Sequence, residues 1–166
     1  WTGWDAMRQA PLRAEALARI AARTPAIDDV ALADVGVFGW WFDRAIFDVV
    51  GLTDAHIAHL PGDHGSKVWD EEYFRARAPD LVLVRSETPV TDPLRAQPTV
   101  GATDRPILLS ILDHGGYRFH ACVDLDRALG RYLLVFSRDG IVLPEDLWGR
   151  PAERDLRDLL MELNAR

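Results

Sequence analysis

Cysteine is almost missing. Cys122 is the only one in 166 residues, which excludes an internal disulfide framework and any cysteine-based zinc cage. Lysine is as scarce: Lys67 stands against eighteen arginines. Together with abundant alanine, this reads as GC-rich coding more than as an arginine-specific surface. Net positive charge is lacking too. The formal charge is −7, which argues against a partner such as nucleic acid, since affinity for a phosphate backbone needs clustered Lys and Arg. No uninterrupted apolar run is long enough to span a bilayer. No basic n-region, apolar h-region or cleavage site is present, so any targeting signal lies outside this sequence. The chain opens on Trp1 and not on Met, which leads us to expect a processed or excised piece of a longer protein. What is present is ordinary: 48% apolar and 27% charged residues are the proportions of a globular core with a solvated surface. The length suits one domain, residues 1–166.

Periodicity predicts an α/β beginning. Over residues 8–23, Leu12, Ala16, Leu17, Ile20 and Ala21 recur on one helical face, and Glu15 precedes Arg19 by the four residues that favour an ion pair. Thr24-Pro25 ends that helix. Val30–Ala33 and Ala45–Val50 read as buried strands, joined by a crossover near the lower limit for a parallel pair. Thr53 or Asp54 caps a brief helix to Leu60. Asp70 caps another, stapled by Trp69 and Phe74 and stopped at Pro79. Leu81–Val84 is a third strand. Residues 86–105, with Pro89, Pro93 and Pro98, carry no period and are expected as one long loop.

Helix returns over residues 106–114. Tyr117–Asp124 alternates, with Tyr117, Phe119, Ala121 and Val123 on one side of a strand. Arg131–Ser137 is another strand, Asp139-Gly140 a turn, and Ile141–Leu143 a hairpin return. Leu156, Leu159, Leu160 and Leu163 stripe a last helix behind Pro151. The fold class is α/β: a mainly parallel central sheet flanked by helices, with an antiparallel edge hairpin near the C-terminus.

Candidate chemistry concentrates between Asp34 and Lys67. In open α/β sheets ligands bind beyond the carboxyl ends of strands, and Asp34, Gly36 and Gly39 sit at such an end. Glycines there admit a ligand close to the backbone, and Trp40 and Trp41 offer flat faces to a sugar or a lipid. The plainer reading is a tight turn with a tryptophan in the core. The glycine spacing does not fit a dinucleotide fingerprint. Asp34 and Asp48 could act as acid and base. Equally, Asp48 interrupts an apolar run and needs hydrogen-bond partners, which Arg44 or the amides of Gly51 and Leu52 could supply. His56, His59, Asp63 and His64 invite a metal, but no His-Glu-x-x-His pattern supports one, and surface histidines around a turn explain them. His120 and Cys122, two apart on a strand, stand about 6.6 Å apart, too far for a nucleophile and its base. There is no Gly-x-Ser-x-Gly elbow and no Walker loop. Neither a cofactor nor a metal is assigned.

The string from Asp34 to Asp54 nevertheless resembles a known segment. Asp34-Val-Gly36, then Gly39-Trp40-Trp41, Asp43-Arg44, an apolar strand and Asp48-Val-Val-Gly51-Leu52-Thr53-Asp54 is similar to part of the soluble C-terminal region of polytopic GT-C membrane glycosyltransferases. These include polyprenyl- or dolichyl-phosphate-mannose transferases and mycobacterial arabinofuranosyltransferases. Tryptophans stand here where that family often has tyrosines. Pro79-Asp-Leu-Val-Leu-Val84 also resembles the family's next stretch of chain, and the likeness covers residues 12–85.

The resemblance implies a non-catalytic extracytoplasmic (periplasmic) domain of an enzyme that uses a lipid-linked sugar donor. It would be tethered by transmembrane helices outside this sequence, and the family's catalytic acid would lie in the membrane part. Its role would be to position a glycan acceptor or to steady the membrane core. Asp34, Gly36, Gly39, Trp40, Trp41, Asp48 and Asp54 are the substrate-binding candidates, with a glycan or lipid-linked sugar as partner. Trp1 and Trp4 would suit a membrane interface. Two alternatives stand beside this: a self-contained soluble α/β enzyme using Asp34 and Asp48, and a protein–protein interaction module.

Overall fold

Branched and aromatic residues concentrate in five short runs, and these become the strands. In the computed structural model, which describes residues 2–126 and 131–143, β1 is Asp29–Leu32, β2 Ala45–Asp48, β3 Leu81–Ser86, β4 Tyr117–Asp126 and β5 Arg131–Arg138. They form one sheet in the order β2-β1-β3-β5-β4. β1 runs parallel to β2 and to β3, while β5 runs antiparallel to β3 and to β4. This is an α/β fold with a parallel half and an antiparallel edge hairpin. The hairpin is β4–β5. The return expected at Ile141–Leu143 is not a strand: the Ile141 amide closes a turn on the Arg138 carbonyl, and Leu143 tucks into the core.

Among the described residues, five helices cover the two faces: α1 Thr2–Arg23, α2 Val35–Trp41, α3 Ala55–His59, α4 Glu71–Arg77 and α5 Arg105–His114. The period-two alternation of β3 divides the core. Leu81 and Leu83 pack with Leu17 and Ile20 of α1 and Phe38 of α2. Val82 and Val84 face the other way, toward Ile57 of α3, Phe74 of α4 and Leu108 of α5. A sheet buried on both faces reads as continuous apolar runs, as these strands do. Burying a side chain such as Phe47 or Leu108 completely stabilises the fold by about 1.5–3 kcal/mol.

Local signals explain most element ends. α1 begins well before residue 8 and runs through Pro11. It carries the expected Glu15–Arg19 ion pair at 2.7 Å. At its end the Thr24 hydroxyl donates to the Ile20 carbonyl. Arg44 donates to the carbonyls of Ala22, Thr24 and Ile27, so the residue just before β2 satisfies an acceptor in the last turn of α1 and two in the connection that follows it. Asp54, not Thr53, caps α3 by accepting from the amides of His56 and Ile57. Asp70 caps α4, and the Trp69 and Phe74 rings lie 5.3 Å apart as a hydrophobic staple requires.

Two expectations change. Residues 86–105 are not structureless. They contain 3-10 turns at Pro93–Arg95 and Gln97–Thr99, and Val90, Ala96 and Val100 are buried, which ties the segment to the sheet. In β4 a register shift falls between Phe119 and Ala121. A bulge inserts one residue and exchanges the faces beyond it. Tyr117 and Phe119 therefore pack on the α4–α5 side, whereas Ala121 and Val123 join the α1 side. The helix expected around Leu156–Leu163 lies outside the described residues, as do Trp1 and the Trp4 side chain. Among the described residues, no helix is long and apolar enough to cross a membrane.

Candidate functional site

Chain connectivity creates the crevice. β1 leaves the sheet through α2 on the α1 face, while β3 leaves through residues 87–104 and α5 on the opposite face. Where two neighbouring parallel strands send their connections to opposite faces, the sheet gapes beyond their carboxyl ends. A cavity of about 490 Å³ lies there, within the range of small-molecule sites. Leu32 and Leu83 from the strand ends, Phe38 from α2, and Leu125 and Leu133 from the hairpin form apolar walls. Pro11 and Ala14 of α1 close one side. Asp34, Gly36, Arg85 and Arg131 bring polar groups to the cavity.

Arg85 is the best-positioned of these. Its Nε and Nη2 donate to Asp104 Oδ2 at 2.9 and 2.8 Å. Asp34 Oδ2 lies 3.8 Å from its Nη1, too long for a hydrogen bond. Burial pushes the Asp104 carboxyl above the ordinary carboxylate range, against the pull of Arg85. Burial works against the Arg85 charge as well, but the Asp104 carboxylate outweighs it and holds the guanidinium protonated. Asp34 is open to solvent, with 85% of its side chain exposed.

The candidates between Asp34 and Asp54 do not form one site. Asp48 is sealed at the end of β2. Its Oδ1 accepts from the amides of Val50 and Gly51, and its Oδ2 from the amide and hydroxyl of Thr53. Gly51 turns the chain at φ +83°, where an added Cβ would meet the Ala58 amide at 2.7 Å. Asp54 caps α3 and accepts from the Tyr73 hydroxyl at 3.1 Å. Gly39 packs against Ile46, whose Cδ1 would lie 3.3 Å from an added Cβ. Trp41 lies under the Arg19 guanidinium, 3.8 Å from the ring centre. Trp40 is 82% exposed. Asp34 and Gly36 alone among these line the cavity. Asp48 does not, so the two aspartates considered as acid and base do not converge on it.

The histidines also disperse. His56 Nε2 meets Asp70 at 2.8 Å, and its ring stacks on Tyr73. His59 Nδ1 donates to the Ala55 carbonyl. His120 pairs with the buried Ser137 hydroxyl at 2.7 Å, and burial together with Arg118 lowers its pKa. The Cys122 sulfur accepts from the Val90 amide instead, and burial raises its pKa.

A family model described as Domain of unknown function (DUF8728) matches residues 5–136. The chain belongs to that family. The matched span includes nearly all of α1, the other four helices, most of the sheet and every residue that lines the cavity. No curated protein matches the chain, and no solved structure does.

Arg85, Asp104 and Arg131 are the site residues that sequence reasoning missed. Arg85 follows the Leu-Val-Leu-Val run directly, so the rule that selected Asp34, a polar residue at the carboxyl end of a buried strand, applied to it equally. Asp104 occupies the N-cap position of α5 but makes no side-chain cap. Its partner lies nineteen positions earlier, and local spacing carries no trace of that.

Proposed function

We propose that this chain is the non-catalytic extracytoplasmic domain of a membrane glycosyltransferase with a lipid-linked sugar donor, and that its cavity at the ends of β1 and β3 positions a glycan acceptor. One observation carries the reading: the division of labour within the Asp34–Asp54 motif. Arg44, Asp48, Gly51 and Asp54 have structural duties, closing α1, the turn after β2 and the start of α3. Asp34 and Gly36 have none of this kind and line the cavity. A motif that spends most of its residues on scaffolding and leaves a carboxylate at a crevice is suited to holding a ligand. Asp34 accepts from sugar hydroxyls and Arg85 donates to sugar oxygens, a pairing that orients a polyhydroxylated ligand.

The test is calorimetric titration of the domain with manno- and arabino-oligosaccharides, alongside an assay for sugar transfer. Weak binding that Asp34→Ala abolishes, with no transfer, is the expected result. Transfer catalysed by the domain alone, or binding indifferent to Asp34, would refute the reading.

A further inference from the structure

We infer that the cavity takes the apolar substituent of an amphipathic glycoside, with the sugar held at its mouth. This rests on the glycan reading above and goes beyond it by specifying the ligand class. A bare glycan has nothing to place against Leu32, Phe38, Leu83, Leu125 and Leu133, which wall about 490 Å³ between the sheet and α1. Sites that bind small molecules match apolar walls with apolar ligand surface and use a few polar groups to fix orientation. Here the polar groups lie at one end, beyond the carboxyl ends of the strands, and they are balanced. Arg85 approaches Asp34, Arg131 lines the same cavity, and Asp104 is buried behind Arg85. Two guanidinium groups and one carboxylate line the cavity, and the buried Asp104 carboxylate offsets the Arg85 charge from behind, so the mouth selects an ion of neither sign. It offers donors and acceptors together, which suits a neutral head rich in hydroxyls. Arg85 is held by Asp104 through two side-chain contacts, so its outward donors are already in place before a ligand arrives.

Titrating the domain with glucose, hexyl, octyl and decyl β-glucosides below their micelle thresholds, and with octanoate, tests this directly. Each added methylene that enters the cavity strengthens binding about fourfold, until the volume is filled. Octyl glucoside binds more tightly than octanoate, and Asp34→Ala weakens every glucoside about tenfold. Ala14→Phe, which fills the cavity from α1, removes the chain-length dependence, and Ala14→Leu shortens the favoured chain. An affinity that stays flat from glucose to decyl glucoside overturns the inference, and if Asp34→Ala still weakens sugar binding, the glycan reading stands without it. Octanoate binding as tightly as octyl glucoside, with no response to Asp34→Ala, overturns both. The chain-length series needs no variant, so a folding failure in either α1 substitution leaves the test intact.

Discussion

Asp104 grips Arg85 twice. Its Oδ2 accepts from the guanidinium Nε at 2.9 Å, and its Oδ1 accepts from the Arg85 backbone amide at 3.0 Å. One carboxylate at the start of α5 thereby fixes both the main chain and the side chain at the end of β3. Without it, the long Arg85 side chain would sample several rotamers at the cavity mouth, and the backbone at the end of β3 would lose a partner.

Removing that carboxylate should be costly in proportion to what it leaves exposed. Asp104→Ala strands a backbone amide and a guanidinium that is 41% exposed, so solvent offsets part of the loss. We expect about 2 kcal/mol of destabilisation, and a smaller loss in Asp104→Asn, whose amide oxygen still accepts from the Arg85 amide. Urea unfolding reads both. An Asp104→Ala protein as stable as the parent would mean that the contact contributes nothing.

How far the sequence disclosed this arrangement depends on the range of each interaction. Helix caps at Asp54 and Asp70, the Trp69–Phe74 staple and the Glu15–Arg19 pair act within a few residues, and spacing displays them. The strands show as apolar runs because both sheet faces are covered. The β4 bulge was invisible: the alternation from Tyr117 to Val123 is unbroken along the chain, and only pairing with β5 reveals that its two halves face opposite layers. Residues 86–105 lack a period because single residues, Val90, Ala96 and Val100, reach the core from turns. The site divides likewise. Asp34 was legible as a strand-end carboxylate, whereas Arg85 and Asp104 meet only through tertiary structure.

The turn after β2 tests the scaffolding half of the motif. Asp48→Ala leaves the backbone amides of Val50 and Thr53 without their acceptor, while the Gly51 amide keeps only the Asp48 carbonyl, and it empties a fully buried side-chain position. A loss of about 3 kcal/mol is expected. Gly51→Ala meets two penalties at once, a positive φ and a Cβ 2.7 Å from the Ala58 amide, and should cost at least about 1–2 kcal/mol. Denaturant midpoints decide it, and the scaffolding account fails if either variant unfolds with the parent.

Acid stability should depend on Asp70. The Tyr73 amide and then the His56 ring, both bonded to its carboxylate, hold the Asp70 pKa below its ordinary 3.8. A depressed folded-state pKa contributes stability above the unfolded value, and that contribution disappears as pH falls through the folded value. The stability gap between the parent and Asp70→Ala should therefore be constant above about pH 5 as far as this carboxyl is concerned. It should narrow as pH drops below 3.8. Unfolding midpoints across an acid series would show it, and a gap that widens on acidification would contradict the assigned direction.

The paired indoles of α2 should separate structure from binding. Trp41 is 37% exposed and stacks beneath Arg19, with the guanidinium carbon 3.8 Å from the ring centre. Trp41→Ala removes both the stack and buried ring area, at about 1–2 kcal/mol. Trp40 is 82% exposed, so Trp40→Ala should alter stability by no more than about 0.5 kcal/mol. It follows Val37, a cavity-lining residue, by three positions on the same helix, which places it where a ligand extending from the mouth can meet its face. On the glycan reading, its loss weakens oligosaccharide binding roughly fivefold, the equivalent of about 1 kcal/mol for an aromatic contact. Parallel unfolding and titration of the two variants make the comparison. If Trp40→Ala binds sugar as the parent does, the exposed indole has no part in holding the ligand, and recognition lies within the cavity alone.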